Sequence, residues 1–222
     1  MYLNLEESNS FNWKYIDKDT IIYFLASISS PDICSKEYSY AYNINVTGTK
    51  EFIKRLLKIG AKVVFFSSDT VYGEREEPVN EQSSISPLGK YALMKSIIEK
   101  EFISSPNFKV FRLSYVFSKN DKFTKFLLES SQTNKEIEIF RPFDRAVVYI
   151  EDLIVAMDNV VTLWDTVGSI VNVCGPRLIS KKDLVCYFNK YSSNLVKYTI
   201  VTPEDSFFKN RPKVINVKSD FF

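Results

Sequence analysis

Apolar residues occur along this chain in short continuous runs that alternate with segments of helical period. Their length and their content of β-branched and aromatic residues are typical of strands buried on both faces of a sheet. The predicted strands are Thr20–Ser27, Lys62–Ser68 and Phe108–Phe117. Helices are predicted between them, from about Lys36 to Ile59 with a stop at Gly60, and from Tyr91 to Phe102. The alternation predicts an α/β fold, with a parallel sheet and helices on both faces.

The pattern beyond Ser118 is more mixed. Further helices and strands are predicted at residues 123–131, 136–140, 152–164 and 169–174. Another helix begins at Ser180, which has Asp183 in the spacing of a capping box. Because there is no internal repeat and no long linker, we expect two units packed together: a sheet domain at 1–117 and a small mixed lobe at 118–222, with some strands of the lobe joining the sheet.

Composition and charge argue against several classes of function. The 222 residues are 45% hydrophobic and 25% charged, with a formal net charge of +2, which is typical of a globular protein and gives no footprint for nucleic acid or an anionic membrane. Three cysteines and no histidine disfavour a disulfide scaffold, a metal site and a histidine-based triad. We expect a cytoplasmic protein without a membrane span.

Three side chains of complementary chemistry follow one another along the predicted sheet and helix. Ser68 ends a buried strand, at the edge where open α/β sheets bind ligands. Tyr91 and Lys95 lie four residues apart, on one face of a helix, where an ammonium lowers the pKa of a phenol. The spacing alone also fits an ordinary amphipathic surface pair, but a hydroxyl, a phenol and an ammonium together suit proton transfer.

Several segments resemble the extended short-chain dehydrogenase/reductases that act on nucleotide sugars. In the family's order, they are IIYFLASISSPDIC, NINVTGT, FFSSDTVYG, YALMK, RLSYVFS, DRAVVYIEDL and VNVCGPRLIS. Asp69 directly after Ser68, the pattern from Arg112 to Phe117, and RPKVINVKSD look most like dTDP-4-dehydrorhamnose reductases and related sugar epimerases. The resemblance implies a Rossmann-like cofactor domain at 1–117 and a substrate-binding lobe at 118–222.

The resemblance also implies roles for particular residues. Tyr91 would be the general acid/base, Lys95 would lower its pKa and hold the nicotinamide ribose, and Ser68 would donate to the substrate oxygen. The cofactor, NAD or NADP, would contact Tyr91, Lys95 and a further set: Leu25, Ala26, Ser27 and Ser114. The substrate, a nucleotide-diphosphate sugar, would contact Ser68, Asp69, Thr70, Tyr115, Arg145 and Arg211, with the two arginines at the diphosphate. No metal is implied.

One part of the family pattern is missing. Members open with a strand, a G-x-x-G-x-x-G turn and a helix that hold the cofactor pyrophosphate, whereas the first glycine of this chain is Gly48. Residues 2–7 (YLNLEE) resemble the family's third strand, with Asn4 where an acidic residue usually lies. We therefore expect an N-terminally incomplete sheet, an unpaired edge at Thr20–Ser27, and a chain that is catalytically silent on its own.

Two other interpretations remain open. A non-catalytic protein could keep the sugar-nucleotide lobe and use the bare sheet edge to pair with a partner or with itself as a homodimer. A hydrolase with Ser68 as nucleophile has little support, because the chain has no histidine and no G-x-S-x-G turn. For the main interpretation, the sequence leaves open the sugar, the choice between NAD and NADP, and the choice between reduction and epimerisation, while dehydration is less favoured.

Overall fold

The structure is a computed structural model that describes residues 3–7 and 10–221. Its strands are β1 Ile21–Phe24, β2 Lys62–Ser68, β3 Arg75–Val79, β4 Phe108–Leu113, β5 Val116–Phe117, β6 Ile137–Phe140, β7 Asp144–Arg145, β8 Val148–Tyr149, β9 Ile170–Val173, β10 Ile179–Ser180, β11 Tyr198–Val201 and β12 Val214–Val217. Its α-helices are α1 Pro31–Lys36, α2 Tyr38–Tyr42, α3 Thr49–Ile59, α4 Gly89–Phe102, α5 Lys122–Gln132, α6 Ile150–Thr162, α7 Lys181–Tyr191 and α8 Asp205–Phe208.

The main sheet is parallel and has the order β1-β2-β4-β9. Because helices cover both of its faces, the predicted α/β fold is confirmed. β9 comes from the second half of the chain and still joins this sheet. Within the described residues β1 pairs only with β2, so it forms the expected unpaired edge. For the same reason β1 is mostly half-buried, and the prediction that it is buried on both faces was wrong.

The alternation of side chains along β2 divides the core between the two faces of the sheet. Val63 and Phe65 pack with α3 and α4, next to Leu56 and Ile98. Val64 and Phe66 point the other way and pack with residues of α6 and β9. Full burial of one such side chain contributes about 1.5–3 kcal/mol, so the two-sided core fixes the position of β2 and of Ser68 at its end.

The predicted helix from Lys36 to Ile59 is interrupted. The predicted range contains α2, a π-helical segment at Asn43–Gly48, and α3, while α1 ends at Lys36, where the prediction begins. In the π segment the Asn45 amide accepts from the Ile28 N–H (2.8 Å) and donates to the Ile28 carbonyl (2.9 Å), which fastens it to the loop after β1. The predicted stop at Gly60 is confirmed, since this residue caps α3 in the left-handed conformation at φ 94°.

The predicted strand Phe108–Phe117 is also interrupted. β4 ends at Leu113, and the Ser114 N–H still donates to the Val173 carbonyl of β9 (3.0 Å). The chain then leaves the main sheet, and β5 pairs with β8. The break places Ser114 and Tyr115 at the carboxyl edge of the sheet, beside the end of β2.

A second sheet joins the two halves of the chain in the order β10-β7-β12-β3. The sequence pattern did not predict its strands, which are only two to five residues long. The expected strand at residues 2–7 is absent from the described part, where residues 3–7 form a turn, and Tyr2 lies outside the described residues. The capping box of Ser180 and Asp183 at the start of α7 is confirmed. No helix in the described ranges is long and apolar enough to cross a membrane.

Candidate functional site

A cavity of about 400 Å³ opens at the carboxyl ends of β2 and β4. Residues from both halves of the chain surround it: Ser29, Pro31, Ser68, Asp69, Thr70, Leu88, Tyr91, Ala92, Leu113, Ser114, Tyr115, Phe143, Arg145, Asn210, Arg211 and Pro212. Eight of the predicted site residues therefore line it: Ser68, Asp69, Thr70, Tyr91, Ser114, Tyr115, Arg145 and, on the opposite rim, Arg211. The position agrees with the rule that open α/β sheets bind ligands at the carboxyl ends of their strands.

Ser68 is the last residue of β2 and caps the short 3-10 turn Asp69–Tyr72. Its Oγ accepts from the Thr70 N–H (3.2 Å) and from the Thr70 hydroxyl (2.9 Å), and it donates to the Asp69 carboxylate (3.3 Å). These contacts hold the hydroxyl at the wall of the cavity. Because the bond to Asp69 is long, the Ser68 proton can turn towards a bound oxygen at little cost.

Asp69 lies buried behind Ser68 and links it to the next strand. Its carboxylate accepts from the Ser114 hydroxyl at 2.8 Å. Burial raises the pKa of Asp69, while the charge of Arg145 and hydrogen bonds from Ser114, Ser68 and the Thr70 backbone oppose the rise. Ser114, which the sequence assigns to the cofactor, thus lines the cavity and donates its hydroxyl to Asp69.

Arg145 reaches the cavity, but most of its donors are already used. It donates to the carbonyls of Asp144 (2.7 Å), Pro212 (2.7 Å) and Lys213 (3.1 Å). Burial lowers the pKa of Arg145, and the nearby charge of Asp69 opposes this. Arg145 thus fastens the segment that carries Arg211, a structural role that the sequence did not predict.

Tyr91 begins the helical face that looks into the cavity. It lies in the first turn of α4, after Gly89, which has φ 84° and a position where a Cβ would lie 2.8 Å from the Asn210 carbonyl. Glycine therefore lets the start of α4 approach the opposite rim. Burial raises the pKa of Tyr91, the charges of Cys34 and Asp69 add to the rise, and hydrogen bonding to Ser27 opposes it.

Lys95 lies one turn below Tyr91 and is only 4% exposed. Its Nζ donates to the Phe66 carbonyl at 2.7 Å and lies 4.7 Å from the centre of the Phe65 ring and 5.8 Å from that of Tyr91. Burial lowers the pKa of Lys95 to about 8, while Glu99 and Cys34 raise it. The expected lowering of the Tyr91 pKa by Lys95 is not observed, because the ammonium is turned to the strand and burial of the phenol dominates.

A carboxylate below Lys95 was missed by sequence reasoning. Glu99 accepts from the Ser67 hydroxyl in a very short bond and from Arg112 Nη2 at 2.7 Å. Arg112 also donates to the Tyr72 hydroxyl at 2.9 Å. The signal was in the sequence, since Tyr91, Lys95 and Glu99 follow one another at intervals of four and so share one face of α4.

The other predicted cofactor residues lie just beyond β1. Leu25 is 60% exposed, whereas Ala26 and Ser27 are half-buried. The segment turns towards the cavity, where the neighbouring Ser29 and Pro31 form part of its wall. Leu25 therefore offers an exposed apolar surface just after the edge strand β1.

Arg211 and Tyr115 complete the side of the cavity that faces the second half of the chain. Arg211 is paired with Asp32 at 2.5 Å, also donates to the Phe207 carbonyl (3.3 Å), and lies over the Phe207 ring. Tyr115 donates to the Asp121 carboxylate at 2.7 Å. Burial and this bond raise the pKa of Tyr115, so its phenol is a fixed neutral group at the wall.

Comparison with known proteins places this chain in a family. The model of a family described as the RmlD substrate binding domain matches residues 3–162, which is well over half of the chain. The chain belongs to this family. The predicted resemblance to nucleotide-sugar reductases and epimerases of the short-chain dehydrogenase/reductase type is confirmed.

Individual relatives of this RmlD-type chain share part of its length. It is 27% identical over 131 residues to the spore coat polysaccharide biosynthesis protein SpsK of Bacillus subtilis, covering 58% of this chain and 46% of SpsK. It is 33% identical over 103 residues to UDP-glucose 4-epimerase 3 of Oryza sativa subsp. japonica, covering 44% of this chain and 27% of the epimerase. The match thus spans less than half the length of these curated relatives.

Solved structures share the fold of the RmlD-type chain. One of them is dTDP-4-dehydrorhamnose reductase from Bacillus anthracis, in complex with NADP. It is similar with a TM-score of 0.81 and 22% sequence identity, over 92% of this chain and 73% of the reductase. This similarity establishes the Rossmann-like architecture.

Proposed function

We propose that this chain forms the catalytic and substrate-binding part of an NAD(P)-dependent enzyme that reduces or epimerises a nucleotide-diphosphate sugar. The observation that carries the proposal is the convergence of Ser68 and Tyr91 at one cavity, with Lys95 directly below them. In this assignment residues 1–117 form the cofactor side and 118–222 form the substrate lobe. The three free cysteines fit a reducing, cytoplasmic location.

Tyr91 is the proposed general acid/base. Because burial raises its pKa, the phenol is protonated near neutral pH and is ready to donate to a sugar carbonyl oxygen as that oxygen gains charge. Ser68 donates to the same oxygen, and Lys95 provides a fixed positive charge one turn below. Epimerisation would first need the Tyr91 phenolate to take the proton of the sugar hydroxyl, and the raised pKa of Tyr91 disfavours that form.

The residues after β1 fit the nicotinamide half of a dinucleotide. Leu25 offers exposed apolar surface, and hydrogen bonding from Ser27 opposes the rise in the pKa of Tyr91. A bound nicotinamide would supply or accept the hydride. The glycine-rich turn that holds a pyrophosphate does not occur in these 222 residues, and we propose that they do not turn over substrate on their own.

The diphosphate of the substrate is assigned to Arg211. Its guanidinium lies at the rim and is paired there with an exposed carboxylate, which a diphosphate could replace. Arg145 contributes mainly its charge, because its donors hold the backbone around residue 212. Asp69, Thr70 and Tyr115 shape the wall around the sugar.

The test is a calorimetric titration of the purified chain with UDP-glucose and dTDP-glucose. We expect 1:1 binding that Arg211→Gln weakens at least about fivefold, as expected for loss of a charge-assisted contact. Arg177→Gln, an exposed arginine that lines a different cavity, is the matched control and should leave the affinity unchanged. Absence of binding to either nucleotide sugar by the folded chain would contradict the proposed substrate.

A second titration separates the enzyme from a non-catalytic binding protein. NADH and NADPH are added with the nucleotide sugar present, and nicotinamide fluorescence is recorded for the chain and for Tyr91→Phe. Saturable binding at micromolar concentration would contradict the proposal that the isolated chain is silent. The titration is repeated with a glycine-rich segment of a related reductase supplied in trans. If the chain binds the nucleotide sugar but neither cofactor changes its fluorescence even then, the non-catalytic alternative is favoured.

A further inference from the structure

The carboxylate of Glu99 connects three elements below the candidate site. It accepts from Ser67 on β2 and from two nitrogens of Arg112 on β4, with Nε at 3.2 Å and Nη2 at 2.7 Å. Ser67 and Arg112 are paired neighbours in the register of the sheet. Glu99 therefore fastens α4 to the carboxyl ends of both strands at one point.

This point lies between the residues of the site. Ser67 is flanked by Ser68, whose hydroxyl faces the cavity, and by Phe66, whose carbonyl holds Lys95. The same helix carries Tyr91 and Lys95 on the face of Glu99. A shift of α4 along the sheet would change the distance from Ser68 to Tyr91, and the Glu99 contacts oppose such a shift.

The charge of Glu99 also acts on Lys95. The groups that face this ammonium are the Cys34 thiol from α1, Tyr91 and Glu99 from α4, and the Phe66 carbonyl and Phe65 ring from β2. Of these groups, the Glu99 carboxylate raises the pKa of Lys95, whereas burial raises the pKa of Cys34 and of Tyr91. Arg112 shares the carboxylate from the far side.

We propose that Glu99 is a positioning residue: it holds the Tyr91–Lys95 face of α4 in register with Ser68 and places a carboxylate one helical turn from the Lys95 ammonium. The inference rests on the proposed function only for the catalytic role that it gives to Lys95. The geometry requires neither a cofactor nor a sugar, so its test uses the chain alone. If the chain did not bind the proposed substrate, the result of this test would be unaffected.

The test is an NMR titration of the 222-residue chain labelled with ¹³C at the lysine side chains, with the Lys95 signal assigned by Lys95→Met. We expect a midpoint near 8 for Lys95. Glu99→Gln should lower that midpoint by about one unit or more, because an opposite charge is removed. Glu101→Gln is the matched control: this carboxylate is on the same helix but pairs with Lys50 and Lys54 at the surface, so the Lys95 midpoint should not move.

A merely structural role for Glu99 gives a different result. In that case Glu99→Gln lowers the thermal midpoint of unfolding and leaves the Lys95 titration unchanged, which overturns the proposal. If Glu99→Gln does not fold, Glu99→Asp keeps the charge but withdraws the carboxylate. A lowered Lys95 midpoint together with displaced amide signals of Ser67 and Ser68 then supports the proposal, and unchanged values for both overturn it.

Discussion

Two arginine–carboxylate pairs lie on opposite sides of the candidate site and have almost the same contact distance. Arg112 and Glu99 meet at 2.7 Å with 4% of each side chain exposed. Arg211 and Asp32 meet at 2.5 Å with 20% and 55% exposed. Since the distances are alike, the difference between the two pairs comes from their surroundings.

The surroundings decide whether a pair can be exchanged. Glu99 and Arg112 are shielded from solvent, and they also bond to Ser67 and Tyr72, respectively. Asp32 is solvated and screened, so little free energy is needed to separate it from Arg211. The buried pair is therefore a fixed part of the floor of the site, whereas the rim pair is open to competition from another anion.

The largest expected effect comes from breaking the buried pair. Arg112→Gln leaves the Glu99 charge buried with Ser67 as its remaining partner, and we expect the free energy of unfolding to fall by about 3–5 kcal/mol. Urea denaturation followed by circular dichroism measures it. Arg211→Gln, the same change at the rim, should cost no more than about 1 kcal/mol. Equal losses in the two variants would remove the distinction between the pairs.

The pH dependence of stability tests the buried region around Lys95 without breaking the Glu99–Arg112 pair. The folded-state pKa of Lys95 is about 8, against an ordinary value of 10.5, so between these values the unfolded chain binds more protons than the folded chain. By linkage, stability rises with pH in this window. We expect the native chain to gain about 2 kcal/mol relative to Lys95→Met between pH 7.5 and 9.5. Lys181, whose pKa burial also lowers to about 8, is present in both proteins and cancels.

That experiment needs urea unfolding curves at several pH values for the two proteins. If the difference in free energy of unfolding between the two proteins stays constant across the window, Lys95 keeps an ordinary pKa. A difference that falls with pH would mean that the folded state favours the ammonium more than water does, contrary to the burial of Lys95 against the Phe65 ring.

The sequence predicted the parts of the site that depend on local pattern. The buried run ending at Ser68 and the four-residue spacing of Tyr91 and Lys95 placed these side chains at one edge of the sheet. The direction of the Lys95 ammonium could not be predicted, because it depends on the Phe66 carbonyl, 29 residues away. The contacts of Arg145 with residues near 212 depend on the pairing of β7 with β12, whose strands are too short to show a pattern.

The rim pair gives the smallest expected effect and the most specific one. Asp32→Asn removes the anion that competes for Arg211, while the Phe207 carbonyl and ring continue to hold the guanidinium at the rim. If Arg211 meets the substrate diphosphate, affinity for UDP should rise by up to about fivefold at low salt, which is the upper value for an exposed ion pair. The gain should shrink as sodium chloride screens the pair, whereas Asp19→Asn, an exposed carboxylate outside the cavity lining, should change nothing. An unchanged or lower affinity in Asp32→Asn would show that the pair only ties the two rims together, and that the diphosphate binds elsewhere.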